Sequence, residues 1–421
     1  MIKPLREFAS GRPLGDLLPA AALAASLLIS MISISLAQGF LAIGLAAWIA
    51  LLVRRERRFE VPPFFWALAV YAGLSLLSSA FSVNPRMSFW DSRELLIILA
   101  VPIVLAAVRR AVDLKIILSA VLLSAGVNAV YAVAYEIIKA SPGERVRAFM
   151  SHYMTQAGIA ALFVSFALGI LFGGLRRGTG PGFEARIRKE IRTDRILWGA
   201  GLLLASAAIL LTYTRSAWIG VGAAVVITLA LWKPKALAVL PVIAVLGFLV
   251  APQSIKDRAL SIFTMRDTSN IARVQYLRAG VKIIADYPLL GTGPDTVDMV
   301  FQNPKYELGY LAKHNVHLHS NIVQIAAERG PVTLLAWLAF VGLAFAGIWK
   351  IRVRNRDVAG GGYLRRKIAG GSLAALTAFF AAGFFEYNFG DSEITLLLFV
   401  LLAIPFAAQR IENAGQKEIR E

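Results

Sequence analysis

Long apolar runs recur from about Leu17 to Ala408, and the short segments joining them alternate between strongly basic and nearly neutral. A helix needs about 20 mostly apolar residues to cross a hydrocarbon core. Twelve segments approach that description: 17–36, 39–53, 61–81, 95–108, 114–138, 157–175, 196–212, 217–232, 236–251, 331–349, 369–385 and 393–408. The first two form one stretch broken only at Gln38-Gly39, and are divided because a single span cannot bury both. With 57% hydrophobic residues, 17% charged residues and a mean hydropathy of +0.65, the chain has too little polar surface for soluble domains. The expected fold class is an all-α polytopic membrane protein of about twelve transmembrane helices.

The net charge of +18 would suggest a nucleic-acid partner in a soluble protein. Its distribution excludes that reading. With the N-terminus cytoplasmic, the inside segments hold 29 of the 44 Lys and Arg and carry a net charge of +17, against +1 for the outside segments. Nearly all the basic excess is the positive-inside signal. Residues 54–58 and 176–195 are then topology determinants that also contact anionic membrane lipid. Both termini are expected to be cytoplasmic, and the basic, Ala-rich start reads as an uncleaved first span rather than a signal peptide. There is no cysteine, so no disulfide and no thiolate metal site can form.

One outside segment is long, about 252–330, which divides the chain into spans 1–251, a loop domain 252–330 and spans plus tail 331–421. Loops of that length are usually functional. Ser269-Asn270 are placed to cap a helix running to about Asp286, with Ile271, Val274, Leu277, Val281 and Ile284 on its apolar face. Pro288 and Gly291-Thr292-Gly293-Pro294 end it in a turn, and no strand precedes these glycines as a nucleotide loop would require. A second helix is expected over about 320–329, stopped by Gly330-Pro331, with His319 at its N-terminal edge.

Few residues can do chemistry. Three of the four histidines, His314, His317 and His319, lie within six positions. Such clustering invites a metal, but no HExxH or dense carboxylate group accompanies them in sequence, where Asp295 and Asp298 are the nearest acids. No metal or other cofactor is therefore expected, and general-base chemistry is the sharper reading; histidines that merely hydrogen-bond in a loop are the alternative. Arg215 interrupts an apolar stretch in a tight outside hairpin, where a charge is costly and positive charge is disfavoured. Arg273 and Arg278 lie on the amphipathic helix and have the forked geometry that suits phosphate, although such an arginine taken alone is more often a solvated surface residue.

The pattern His319-Ser320, nine residues, Gly330, two residues, Thr333 resembles the H-[NSQ]-x9-G-x-x-[GTY] signature of O-antigen ligases. Thr214-Arg215-Ser216-Ala217-Trp218-Ile219-Gly220 resembles the T-R-S-x-W-x-G stretch of the O-antigen ligase and polymerase superfamily. Ala272-Arg273 through Pro288-Leu289-Leu290-Gly291-Thr292-Gly293 resembles its R…P-L-L-G-x-G segment. The motifs cover about 200–345, and the layout of spans extends the likeness along the chain.

That resemblance implies a membrane-embedded, GT-C-like glycosyltransferase in the bacterial inner membrane with a periplasmic active site. The implied donor is a glycan on undecaprenyl pyrophosphate, and the implied ligase acceptor is a sugar hydroxyl of lipid A–core. It further implies metal-independent, inverting transfer, with His319 as base, Arg215 and Arg273 on the pyrophosphate, and His317, His314 and Arg278 as further substrate contacts. Polymerases of the superfamily usually carry two sizeable periplasmic loops. This chain has one, which favours the ligase. A lipid-linked glycan transporter or flippase is the alternative of another class; it would show paired, broken spans in two halves, and no such repeat is visible.

Overall fold

The computed structural model describes residues 13–139, 145–172, 183–264, 267–306, 308–309, 316–353 and 363–420. Among them there is no strand. The first half comprises α1 (Leu14–Ile29), α2 (Ile34–Val53), α3 (Phe64–Ala80), the short α4 (Pro85–Asp91), a 3-10 turn leading into α5 (Ala100–Ala107), α6 (Ala111–Lys139), α7 (Tyr153–Phe172) and α8 (Phe183–Leu211). Then follow α9 (Arg215–Trp232), α10 (Leu240–Val250), α11 (Gln253–Leu260), α12 (Thr268–Asp286), α13 (Val297–Phe301), α14 (Asn321–Arg329), α15 (Pro331–Val353), α16 (Tyr363–Ala382) and α17 (Ser392–Arg420).

The apolar segments singled out above are mostly helical where they are described, with one correction: the first division falls at 30–33, and Gln38-Gly39 lie inside α2. Six stretches are long and apolar enough to cross a membrane: α2, α6, α7, α9, α15 and Ser392–Ala414 of α17. Gly15–Ile29, Phe64–Ala80, Arg195–Leu211 and Pro234–Val250 are apolar but shorter. The chain is a multi-pass, all-helical membrane protein. Local chemistry explains where the boundaries moved. Pro63 disfavours the helical conformation at the residue before it, Pro62, so α3 starts after the pair, at Phe64. Helix α8 begins well before its apolar part, because the Arg-, Lys- and Glu-rich residues ahead of it are themselves good helix formers.

Helix α17 is deeply enclosed by the bundle: every residue from Leu396 to Ile404 is buried, Leu398 through Ile404 completely. Small residues let neighbouring helices close on α16. A Cβ on Gly169 of α7 would meet Gly371 Cα of α16 at 2.2 Å, and one on Gly220 of α9 would meet Ala378 O at 2.6 Å. The glycine ending the Thr214–Gly220 motif is thus a helix-crossing point. Helix α10 is the opposite case: Val242, Ile243, Val245, Leu246 and Leu249 are all more than half exposed, as suits a peripheral helix in lipid.

Connections separate onto two faces. On one, Arg57 pairs with Asp16, Arg410 bonds Glu60 and Val108 O, Arg352 donates to Arg366 O, and Arg365 pairs with Glu412. On the other, the loops after α3, α6, α8 and α16 meet the segment between α10 and α15. Ser78 Oγ donates to Leu290 O at 2.6 Å, Arg258 Nε to Tyr213 O at 3.0 Å, and Thr155 Oγ1 to Asp391 Oδ2 at 3.2 Å. The alternation of basic and neutral segments in the sequence follows this division.

That segment has a small core of its own, built from Ala272, Tyr276, Ile283, Val297, Phe301 and Leu318 with their neighbours. Two expectations about α12 are corrected. Its cap is Asp267, whose carboxylate accepts from Asn270 N at 3.2 Å, while the Asn270 amide donates instead to Ser261 O and Thr264 O. Its packed face carries Ala272, Tyr276, Ala279, Gly280 and Ile283; Leu277 and Val281 are more than half exposed. The small residues are required there, since a Cβ on Gly280 would lie 2.2 Å from Val323 Cγ1.

Candidate active site

Helix α14 is pinned at its start to the loop between α16 and α17. Asn321 N donates to Gly383 O at 2.8 Å, its amide donates to Asn388 Oδ1 at 2.7 Å, and its Oδ1 accepts from Phe389 N at 3.1 Å. Gln324 Oε1 accepts from Leu318 N at 2.6 Å, fixing the turn that precedes the helix. His319 occupies that turn with φ +51°, a left-handed conformation uncommon for a residue with a Cβ. These contacts set the imidazole against Glu386.

His319 Nδ1 lies 3.1 Å from both Glu386 oxygens, and His317 Nε2 lies 3.3 Å from Oε1. The His317 and His319 rings are 4.6 Å apart, and Tyr276 lies 5.4 Å from His319. Burial opposes the Glu386 charge, but His319 and His317 outweigh it and hold the carboxyl well below its usual range. Burial likewise opposes protonation of His317, yet the bond to Glu386 prevails and raises it. A carboxylate at Nδ1 of His319 takes the N–H there and leaves Nε2 as the basic atom.

The expectation that no carboxylate accompanies the histidines is therefore corrected: Glu386 supplies one from 67 residues downstream. His317, His319 and Glu386 each present a donor atom, all within 4.8 Å of one another, close enough to hold a metal ion after small adjustments. His314 lies outside the described residues. His152, in the loop before α7, is coupled to the group: burial chiefly lowers its pKa, Glu386 opposes this, and His317, Arg145 and His319 add to it.

Arginines gather beside the histidines. Arg215 is the first residue of α9 and is 4% exposed. Its guanidinium donates to Ser261 O at 2.8 Å, Ser261 Oγ at 2.9 Å and Asp267 Oδ1 at 2.9 Å. Arg258 reaches the other Asp267 oxygen at 3.5 Å; burial, then Arg145 and Arg215, lower it to about 10. Arg145 lies 4.5 Å above the Tyr153 ring. Asp267 is a single acid among these cations. Burial works against its ionisation, but Arg215 and Arg258 keep its carboxyl below the usual range.

Arg273 bridges the two groups. Burial lowers its pKa, Glu386 opposes that, and Arg215 reinforces it, so the guanidinium is electrostatically coupled to both groups. Its Nε is buried and has no hydrogen-bond partner among the described residues. Arg278 is exposed on a different face of α12 and is not brought to the cluster.

The glycines of the motifs are placed by close backbone contact. Gly291 and Gly293 have φ +69° and +106° and pack against Glu328 and Ser82, where a Cβ would come within 2.4 Å of heavy atoms. Thr292 N and Gly293 N donate to Ala327 O and Glu328 O at 2.9 and 2.8 Å. Gly330, at φ +83°, leaves only 2.1 Å between a built Cβ and Leu289 O. Thr333 Oγ1 donates to Arg329 O at 2.6 Å. The signature around His319 thus locks α14 onto the 289–294 turn.

Beyond His317 opens a cavity of about 410 Å³. Asp91, Glu94, Asp295, Glu328 and Asp391 line it with Arg329. Arg329 bonds Glu328 at 2.7 Å, Asp91 at 3.1 Å and the Tyr387 hydroxyl at 3.2 Å. The cavity is thus rich in carboxyl groups around one buried guanidinium, and His317 forms part of its lining.

Of the residues expected from sequence, His317 and His319 meet at Glu386, and Arg273 is electrostatically coupled to Glu386 and to Arg215. Sequence reasoning missed Glu386, Arg258, Arg145 and His152. Glu386 had a signal, since it is an acid in the short polar break between the last two apolar runs, the same kind of position that singled out Arg215. Residues 200–338 match the family model described as O-antigen ligase. No curated protein matches the chain.

Proposed function

We propose, from the match of residues 200–338 to the family model described as O-antigen ligase, that this chain is an O-antigen ligase, transferring a glycan from undecaprenyl pyrophosphate to a sugar hydroxyl of lipid A–core. The observation that carries the reading is the buried Arg273 Nε without a partner, set between the Arg215 cluster and the Glu386–His319 pair. A buried guanidinium donor left open is a place for an anion.

Nε2 of His319 takes the proton of the acceptor hydroxyl, and that oxygen attacks the anomeric carbon. The bond from that carbon to the pyrophosphate oxygen breaks from the opposite side, which inverts the configuration. Charge developing on the departing diphosphate is met by Arg273 and Arg215, with Arg258 and Arg145 nearby. Glu386 steadies the imidazolium, as a carboxylate behind a catalytic imidazole does. The face bearing these loops is periplasmic in this reading, the termini are cytoplasmic and the membrane is the inner membrane. The prenyl tail remains in the bilayer.

The test is transfer by the purified, membrane-reconstituted protein from a prenyl-pyrophosphate glycan to lipid A–core, with and without chelator. Product with an inverted anomeric centre, formed equally in chelator, is the expected result. Loss in chelator with recovery on adding a divalent cation would make His317, His319 and Glu386 a metal centre. Joining of donor units to one another would make the protein a polymerase.

Arg215→Lys is expected to lower transfer about 10–100-fold while the protein still inserts. An ammonium cannot serve Ser261, Asp267 and a phosphate with one planar fork. Unchanged turnover in that variant would reduce the requirement to charge alone.

A further inference from the structure

His317, His319 and Glu386 form a donor set with more capacity than the transfer mechanism uses. His319 Nδ1 and His317 Nε2 both aim at Glu386 Oε1, at 3.1 and 3.3 Å. Ligand atoms about 2.0–2.2 Å from a tetrahedral zinc ion stand roughly 3.3–3.5 Å from one another. Both separations are close to the edges of such a tetrahedron, and the three donor atoms all lie within 4.8 Å of one another. The side chains of His319 and Glu386 are 10% and 9% exposed, and that of His317 is 29% exposed. The left-handed turn at His319 and the bonds of Asn321 to Asn388 and Phe389 hold the set together before any ion arrives.

His317 also lines the carboxyl-rich cavity of about 410 Å³, which gives a cation an approach to the set. The Arg329 charge in that cavity is met by Glu328 and Asp91, which leaves Glu94, Asp295 and Asp391 on its walls. Burial, then Asp91 and Asp298, push Asp295 up to about 6, and burial, then Glu386 and Glu393, push Asp391 up to about 7. These groups are partly ionised near neutral pH, and an approaching dication favours their charged form. Arg273, coupled to Glu386, opposes the ion, so binding rests on direct bonds to the donor atoms and not on net charge.

We propose that His317, His319 and Glu386 bind a zinc ion and that the bound ion inhibits the protein by occupying Nδ1 of His319. The inhibitory half rests on the ligase reading above; the binding half does not. Two imidazoles and a carboxylate suit zinc, whereas magnesium and calcium prefer all-oxygen sites. A neutral imidazole has one N–H and one lone pair. With Glu386 accepting the N–H at Nδ1, the lone pair is at Nε2 and can take a proton from an alcohol. When zinc takes the lone pair at Nδ1, the ring's one proton passes through solvent to Nε2, and the base is gone. A proton carried on His317 Nε2 is released to solvent as that atom ligates. Zinc here is an inhibitor of a metal-independent reaction and not its cofactor.

The experiment titrates zinc chloride into the full-length protein, stripped of metal and reconstituted in lipid nanodiscs, against a fluorescent zinc indicator. One ion per chain is expected, with magnesium and calcium in large excess failing to displace it. His317→Ala and Glu386→Gln should each weaken binding at least tenfold, the smallest loss seen even for groups standing behind metal ligands. Zinc-edge X-ray absorption of the wild type needs no variant to fold, and should show two imidazoles and oxygen at about 2.0–2.2 Å. An all-oxygen shell, displacement by magnesium, or undiminished binding in both variants overturns the site. In the transfer assay, saturating zinc should lower turnover at least tenfold and excess chelator should restore it. Unchanged or faster transfer with zinc bound overturns the inhibition. Zinc held by this shell in a protein that transfers nothing without metal counts against the ligase reading and leaves the site in place.

Discussion

His319→Asn lowers the turnover of glycan transfer about 10²–10⁴-fold, the range that a positioned general base supplies, while the protein still inserts and folds. Asparagine is the informative choice because residue 319 has φ +51°. Alanine at that angle adds backbone strain to the loss of the imidazole, whereas asparagine accepts the conformation and supplies no base. The measurement is transfer in reconstituted membranes with thermal unfolding in parallel. An unchanged unfolding midpoint with transfer lost isolates the chemistry. Retained turnover would move the base elsewhere, and His317 is next in line because its ring also faces Glu386 at 3.3 Å.

The helices were legible because the period and length of apolar runs report burial in lipid directly. Their exact starts were not, since Pro62-Pro63 and the Arg- and Lys-rich entry to α8 act through backbone chemistry that hydropathy does not see. On α12, large apolar residues marked a face that the fold leaves open, while Ala272, Ala279 and Gly280 form the packed one. Pattern reading weights bulk, and a crowded contact selects smallness. The site shows the same division. His319, Arg215 and Arg273 could be found because each is an anomaly in its own segment. Glu386 could not be joined to them, because their meeting depends on Asn321 tying α14 to a loop 67 positions away. Nor did the sequence indicate that Asp267 occupies Arg215, which leaves Arg273 with the open donor.

Glu386→Gln carries the second large effect, a fall in turnover of about 10²-fold or more, by the logic of a carboxylate that fixes the tautomer and orientation of a catalytic imidazole. In the wild-type protein both carboxylate oxygens stand 3.1 Å from His319 Nδ1. An amide offers one acceptor oxygen and a nitrogen that donates, so the ring can turn or present the wrong nitrogen. A purely structural contribution is separated by His317. Its pKa is raised because the bond to Glu386 outweighs burial; with that charge gone, burial is opposed only by the lesser effects of Asp391 and Glu328, and the titration midpoint moves down. The sign also fixes the pH window of any stability change. A raised His317 contributes stability at pH below its unfolded value and loses it as pH rises through its folded one, so the variant's deficit should be greatest in acid. Histidine-selective NMR across pH 5–9 reads the midpoint while transfer is measured on the same preparation. A downward midpoint with slow transfer ties Glu386 to the imidazoles; slow transfer with the midpoint unmoved would assign the carboxylate only to holding the loop between α16 and α17.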